Sequence, residues 1–367
     1  MTNIIWDATK PYLYGKYKLE SNQLKPKLAL FDLDGTLILC KSGKRFAKDE
    51  NDWKFYSDKN IKKELQYYTD NGYSIIIISN QAGLNSELKI NQWKTKLNNI
   101  IKLLDIPIQI YASISHDKYR KPLLSLFNEI IKSTQTKIII NDCFYVGDAC
   151  GRPTDHSDSD YKFALNCKLK FMTPEEVFLK EAVMIPPVNY PVLEEIKQYI
   201  SNKNYNYKIN KYNKEIILMV GMQGSGKSTF TTSYLIPANY VRINQDTLKT
   251  KVKCFKETEE MMKLNKNIVV DNTNAKKDTR AEFIKLANKY DYKVRCVIMD
   301  VSNDYAIHNA NYRSYKLGID FMPSIAFNMY KKNYEEPKLD EGFSDVVKIK
   351  PVIDMNVNNY DDYTIYF

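Results

Sequence analysis

Leu28-Ala29-Leu30-Phe31-Asp32-Leu33-Asp34-Gly35-Thr36-Leu37 decides how the first half of the chain folds. Four apolar residues in a row read as a buried strand of a parallel sheet. The run stops at Asp32, and Asp34 stands two positions on, so an extended backbone turns both carboxylates to one side. Two carboxylates held together repel unless a cation lies beside them, so the pair invites Mg²⁺. An acidic turn closing a strand is the plain alternative. A DxDGT pattern behind an apolar run is much more specific than an isolated DxD.

Outward from this stretch, Tyr73–Ile78, Ile138–Ile140 and Phe144–Val146 are further short apolar runs with helix-like segments between them. The alternation predicts a doubly wound α/β unit, in which ligands gather at the carboxyl ends of the strands. The chemistry-bearing residues fall at those ends. Ser79-Asn80-Gln81 offers a hydroxyl and amides for a phosphoryl oxygen. Lys121, in Tyr119-Arg120-Lys121-Pro122, offers a positive charge. Asp148, in Val146-Gly147-Asp148-Ala149, offers another metal-ligating carboxylate. In this order the four segments resemble the motifs of the haloacid-dehalogenase phosphatase superfamily. The resemblance implies covalent chemistry: Asp32 attacks phosphorus, Asp34 protonates the leaving alcohol and later activates water, and Mg²⁺ neutralises charge. Asp32, Asp34 and Asp148 are the expected metal set. Ser79 follows Asp34 by 45 positions, which leaves little room for a cap domain. An uncapped site admits the end of a polymer.

A second alternation begins at Glu215–Val220 and continues at Ile268–Val270 and Val294–Met299. Its first strand runs into Gly221-Met222-Gln223-Gly224-Ser225-Gly226-Lys227-Ser228, which matches GxxxxGK[ST]. Thr229–Tyr234 then reads as a helix start. Such a loop cradles phosphates with its backbone N–H groups and the helix N-terminus, its lysine reaches the β/γ-phosphates, and its hydroxyl holds Mg²⁺. Gly221, Gly224, Gly226, Lys227, Ser228 and Thr229 are therefore the expected ATP-binding set, joined by Arg313 as a lid cation. Asp246, after the apolar Tyr240–Ile243, is placed to take the proton of an attacking hydroxyl, although a helix N-cap would also use an Asp there. Asp271 and Asn272 close another strand as candidates for the metal shell or for substrate.

Two α/β domains with doubly wound parallel sheets are thus expected: an N-terminal extension at 1–25, a haloacid-dehalogenase-like domain at 26–182, a linker at 183–212, and a P-loop kinase domain at 213–367. The linker spans the proline-rich Ile185–Pro191 and the polar Ser201–Lys214. A chain of 367 residues suffices for two cores. A net charge of +10 suits a polyanionic partner, although a lysine-rich composition alone would also produce it. Six scattered cysteines without CxxC spacing, beside three histidines, point to reduced thiols and no structural zinc. No apolar run approaches the roughly 18 residues that cross a bilayer. No signal peptide is evident, and an intracellular location is expected.

Both centres together, and segments beyond them, resemble the eukaryotic polynucleotide phosphatase/kinase family over roughly residues 26–350. Ser42-Gly43-Lys44, Asp52-Trp53, Phe163-Ala164-Leu165-Asn166 and Thr173-Pro174-Glu175-Glu176 carry the likeness in the first half. Gly226–Phe230, Asp246-Thr247-Leu248, Asp271–Asn274, Pro337 and Glu341-Gly342-Phe343 carry it in the second. The resemblance implies a 3′-phosphatase with nucleophile Asp32, acid/base Asp34, and Ser79 and Lys121 on the phosphoryl group. It also implies a 5′-kinase in which Asp246 activates the 5′-hydroxyl of DNA. Lys44, Arg45 and Arg120 are expected to follow the phosphodiester backbone. Gln245 and Asn311 depart from the family by standing where cations are common. With Asp32 so near Met1, no forkhead-associated domain and no phosphopeptide scaffold binding are expected. The expected enzyme is a monomer that meets DNA breaks in a nucleus or a viral replication compartment. RNA-end repair, or end binding with a decayed kinase site, are the competing readings.

Overall fold

The computed structural model describes residues 3–20, 23–44, 47–201, 205, 207–353 and 357–367. It divides into two units, residues 1–190 with 365–367, and residues 191–364.

In the first unit Lys27–Phe31 lies inside a seven-stranded sheet. The strand order is Ile5–Asp7, Leu13–Tyr17, Ile108–Ser113, Tyr73–Asn80, Lys27–Phe31, Phe144–Val146, Lys170–Met172. The last five are mutually parallel. Alternate residues of Lys27–Phe31 face opposite layers, as the pleat requires. Ala29 and Phe31 pack with Trp93, Leu97, Ile100 and Ile101 of helix Glu87–Leu104. Leu28 and Leu30 pack with Leu126 and Ile130 of helix Ser125–Lys132 and with Phe163 of helix Ser159–Asn166. Each of these buried side chains contributes about 1.5–3 kcal/mol over leaving it exposed. Covering both faces leaves the carboxyl ends of the strands as the place where polar groups converge.

Residues 1–25, read from sequence as an extension, contain two of these strands. The hairpin Ile5–Asp7/Leu13–Tyr17 adds antiparallel to Ile108–Ser113. Its period is short and its aromatic content high, so it carries no strong alternation. Ile138–Ile140 is not a strand: it is irregular and leads into a tight turn at Ile140–Asp142. Ile139 there is 47% exposed, so its apolar character is not spent on the sheet.

The second unit is a five-stranded, wholly parallel sheet in the order Val241–Ile243, Ile268–Val270, Glu215–Val220, Lys293–Met299, Asp345–Ile349. Ile216, Leu218 and Val220 face Phe283, Ile284 and Ala287 of helix Lys277–Lys289. Ile217 and Met219 face Phe230, Leu235 and Tyr240. Helix Val192–Ser201, inside the stretch read as linker, belongs to this unit, while Ile365–Phe367 folds with the first. Among the described residues no helix is long and apolar enough to cross a membrane.

Candidate active sites

In the first unit Asp32, Lys121 and Asp148 come together, and Ser79 is joined to Asp34 through Gln81. The Asp32 amide donates to the Val146 carbonyl (2.8 Å), which pins the end of one strand to its neighbour. Lys121 is buried, and its Nζ donates to Asp32 Oδ1 (2.6 Å), Tyr145 Oη (2.7 Å) and Asp160 Oδ1 (2.7 Å). Three partners use all three of its protons, so the charge is fixed in place. Asn80 holds the Lys121 backbone from both sides: its Nδ2 donates to the carbonyl (3.0 Å), and its Oδ1 accepts from the amide (2.9 Å).

Carboxylate oxygens of Asp32, Asp148 and Asp160 lie within 4.8 Å of one another. Burial, only partly offset by Lys121, pushes Asp32 well above the usual carboxylate range, with Asp160 and Asp148 adding to the rise. Burial and then Asp160 push Asp148 up to about 7. For Lys121, burial works downward, but Asp160 and Asp32 outweigh it and hold it above its ordinary value. Two buried acids and one half-buried acid gather around a single cation. A hard divalent cation with oxygen ligands fits this cluster. Gly35, at φ +91°, lets the turn pass under this cluster, because a Cβ there would lie 2.5 Å from the Asp148 carboxylate.

Asp34 is outside that cluster. Gln81 Nε2 donates to its Oδ2 (2.6 Å) and Lys96 Nζ to its Oδ1 (3.2 Å), and Gln81 Nε2 also reaches Ser79 Oγ (2.9 Å). Of the expected metal set, Asp32 and Asp148 share the cluster with Asp160, while the Asp34 side chain turns toward Lys96 and Gln81. Lys96, buried on helix Glu87–Leu104, was missed, since a lysine in an amphipathic helix carries no local mark of function. Asp160 was missed for a similar reason: an acid in the first turn of a helix is ordinary. Only its pairing with Lys121 and Tyr145, and the Ala149 amide on its Oδ2 (3.1 Å), set it apart.

In the second unit the phosphate loop closes on itself. Lys227 Nζ donates to the carbonyls of Gly221 and Met222 (both 2.8 Å). Burial, partly countered by Asp271, lowers this lysine to about 8. Gly224, at φ +83°, packs on helix Asn303–Leu317 so closely that a Cβ would fall 2.0 Å from the Ala306 carbonyl oxygen. Asn309 of that helix donates to the Gly224 carbonyl (2.7 Å). Gly226 also has positive φ, and Ser228 and Thr229 are exposed at the helix start.

Asp271 is buried behind the loop. Arg242 donates to its Oδ2 from Nε (2.8 Å) and Nη2 (2.6 Å), while its Oδ1 has no hydrogen-bond partner among the described residues. An orphaned buried carboxylate oxygen beside a phosphate loop fits the Mg²⁺ that accompanies a nucleotide. Asn272 Oδ1 accepts from the Gln245 amide (2.8 Å), which joins two strand ends across the pocket. Asp246 is exposed on the short helix Gln245–Leu248, whose N-cap is Asn244. Arg313 is exposed on helix Asn303–Leu317, and its charge and that of Asp246 both act on Lys227. Arg242 was not anticipated, and it supplies a cation to a pocket where Gln245 and Asn311 do not.

Of the expected DNA contacts, Lys44 is exposed. Arg120 is half-buried with Nη1 unpartnered among the described residues, and burial lowers its pKa from the ordinary value. Arg45 lies outside the described residues.

The two centres define a class: a phosphatase with a carboxylate–lysine cluster joined in one chain to a kinase with a phosphate loop. The family described as polynucleotide kinase 3 phosphatase matches residues 27–178, and an AAA domain family matches residues 216–337. A bifunctional polynucleotide phosphatase/kinase of Schizosaccharomyces pombe is 38% identical over 94% of this chain and 84% of its own length. A putative enzyme of the same description from Acanthamoeba polyphaga mimivirus is 34% identical over 93% of this chain and 89% of its own. A polynucleotide 3′-phosphatase of Saccharomyces cerevisiae is 30% identical over 40% of this chain and 85% of its own. The chain belongs to the bifunctional polynucleotide phosphatase/kinase family, and it is an enzyme with both activities.

Proposed function

We propose that the chain heals DNA ends for ligation, removing 3′-phosphates through an aspartyl-phosphate and phosphorylating 5′-hydroxyls with ATP. The observation that carries the first half is Lys121 bound to Asp32 Oδ1 within the carboxylate cluster. With Oδ1 held, Oδ2 of Asp32 attacks phosphorus and the bond to the 3′-oxygen breaks. Asp34, at the open mouth, gives its proton to that oxygen. In the second half-reaction Asp34 takes a proton from water, the hydroxide attacks phosphorus, and the bond to Asp32 breaks to release inorganic phosphate. Asp32, Asp148 and Asp160 would hold Mg²⁺ directly or through water, and the ion supplies charge neutralisation at the phosphoryl oxygens. Ser79 donates to one of those oxygens.

In the second unit Lys227 would leave the Gly221 and Met222 carbonyls for the β/γ-phosphates, with Ser228 and Asp271 on the metal side. Asp246 takes the proton as the 5′-oxygen attacks the γ-phosphorus, and the bond to the β–γ bridging oxygen breaks to release ADP. Arg313, opposite, covers the phosphates. Lys44, Arg45 and Arg120 follow the strand leading to the first site. On this reading the protein acts as a monomer, in a nucleus or a viral replication compartment.

The test is a gapped duplex bearing a 3′-phosphate and a 5′-hydroxyl, supplied with Mg²⁺ and labelled ATP. Asp32→Ala removes phosphate release and leaves label transfer, while Lys227→Ala does the reverse. Loss of both activities in either variant contradicts independent sites. Faster turnover of matched RNA ends contradicts the assignment to DNA.

A further inference from the structure

The kinase pocket contains a built contact that the ATP and acceptor roles do not use. Arg242 lies on strand Val241–Ile243 and sends its guanidinium across to Asp271, at the end of the adjacent strand Ile268–Val270. Two nitrogens of the fork converge on one oxygen, Oδ2, at 2.8 and 2.6 Å. Nη2 also stands 3.4 Å from Ser228 Oγ. The Asp271 main chain is fixed as well: its amide donates to the Ile243 carbonyl (2.8 Å), and its own carbonyl accepts from Asn244 Nδ2 (2.6 Å). Backbone and Oδ2 are therefore immobilised, and the side chain is fully buried. Only Oδ1 is left as a buried acceptor without a partner among the described residues. A buried carboxylate oxygen is not left unmatched without cost. Arg242 Nη2, which holds Oδ2, is the atom that stands near the Ser228 hydroxyl, the group that holds Mg²⁺ in a GxxxxGK[ST] loop.

We propose that Arg242 is a positioning residue for the metal of the kinase site, holding Asp271 by Oδ2 so that Oδ1 is presented toward the Mg²⁺ that arrives with ATP at Ser228. The inference rests on reading the second unit as an ATP site. Arginine suits this task because its planar fork fixes a carboxylate's orientation where an ammonium would not. The contact has a second consequence. Asp271 is the charge that most opposes the effect of burial on Lys227. Tied to Arg242, it acts on that lysine through space, while the ammonium itself donates to the Gly221 and Met222 carbonyls. Partners that orient metal-binding carboxylates change metal affinity by about 10–100-fold when removed.

The experiment is calorimetric titration of ATP into the full chain, wild type and Arg242→Met, in EDTA and over a Mg²⁺ series, with melting temperature followed alongside. ATP binding in EDTA together with the melting temperature reports that the second unit of the variant is folded, and 3′-phosphatase activity reports the first. The expected result is a Mg²⁺ half-saturation raised about 10–100-fold, with ATP affinity in EDTA and phosphatase activity unchanged. Arg242→Lys, which keeps the charge and loses the fork, should stay shifted. An equal loss of ATP affinity with and without Mg²⁺ would mean that Arg242 touches the phosphates directly, and overturns the inference. So does an unshifted Mg²⁺ curve. If the wild type binds no ATP under any condition, the reading of the site itself fails and the inference with it, an outcome distinct from either of the others.

Discussion

The two centres treat charge in opposite ways. In the first unit Asp32, Lys121 and Asp160 are each less than a tenth exposed and locked in one hydrogen-bonded group. In the second, Ser228, Asp246 and Arg313 all stand in solvent, while Lys227 and Asp271 are buried. The proposed chemistries account for the contrast. Where a side chain is itself the nucleophile, it must be aimed before substrate arrives, and the low dielectric around it strengthens the fixed charges. Where both reactants diffuse in, the enzyme needs a cradle and a metal site, and the acceptor-side groups need open space.

Breaking the first arrangement should have the largest effect. Lys121→Met leaves Asp32 and Asp160 as buried acids without their cation, so 3′-phosphatase turnover should fall about 10²–10³-fold, as when a preorganised donor is lost. Breaking such a buried pair also costs about 3–5 kcal/mol, measurable by urea unfolding. A fully active Lys121→Met enzyme would show that the locked group is only structural.

The second unit should be the more acid-sensitive in one respect. Burial lowers His308 to about 4, opposed by its hydrogen bond to the Tyr363 carbonyl. That carbonyl can only accept, so the proton sits on Nε2. Between pH 4 and the ordinary 6.5 the unfolded chain binds more protons at this residue than the folded one. Its contribution is therefore fully present above pH 6.5 and falls by about 3 kcal/mol as pH drops to 4. Unfolding free energies of wild type and His308→Gln across that window should converge at the acid end, and parallel curves would remove the effect.

Smaller changes sharpen the contrast within the first site. Asp160→Asn should weaken the affinity for Mg²⁺ by about 10–100-fold, seen as a raised half-saturation for 3′-phosphate release with 5′-kinase activity unchanged. Lys96→Met should be milder, lowering phosphatase kcat by about tenfold with KM little altered, because Asp34 keeps Gln81 as a partner. A change confined to KM would instead place Lys96 on the substrate.

How far the site was legible follows from how its residues are spaced. Asp32, Asp34, Ser79 and Asp148 sit at or just past the end of an apolar run, and Lys227 stands in a GxxxxGK[ST] loop that follows one, so strand reading and residue chemistry point to the same positions. Asp160, Lys96 and Arg242 do not. The first two are on helices, where an acid in the first turn or a lysine among apolar residues is ordinary. Arg242 is inside a strand of three residues and looks like an exposed edge position. Their roles arise from partners 29 to 62 positions away in sequence. Asp160 and Lys121 are 39 apart, Lys96 and Asp34 62 apart, and Arg242 and Asp271 29 apart. The hairpin at Ile5–Asp7 and Leu13–Tyr17 was likewise illegible, since an edge pairing depends on the open side of Ile108–Ser113 and not on the hairpin's own pattern.

By itself the sequence determined that two α/β units follow one another, that acids and a phosphate loop stand at strand ends, and which family the chain resembles. Those features are local: an apolar run, a turn and the residues just past it suffice to specify them. Only the tertiary structure decided which groups share a charge, that Lys121 joins Asp32 to Asp160, that Asp34 faces Lys96, and that Arg242 holds Asp271. Coulombic and hydrogen-bond partners are chosen by distance in space, and the packing of helices onto each sheet sets those distances.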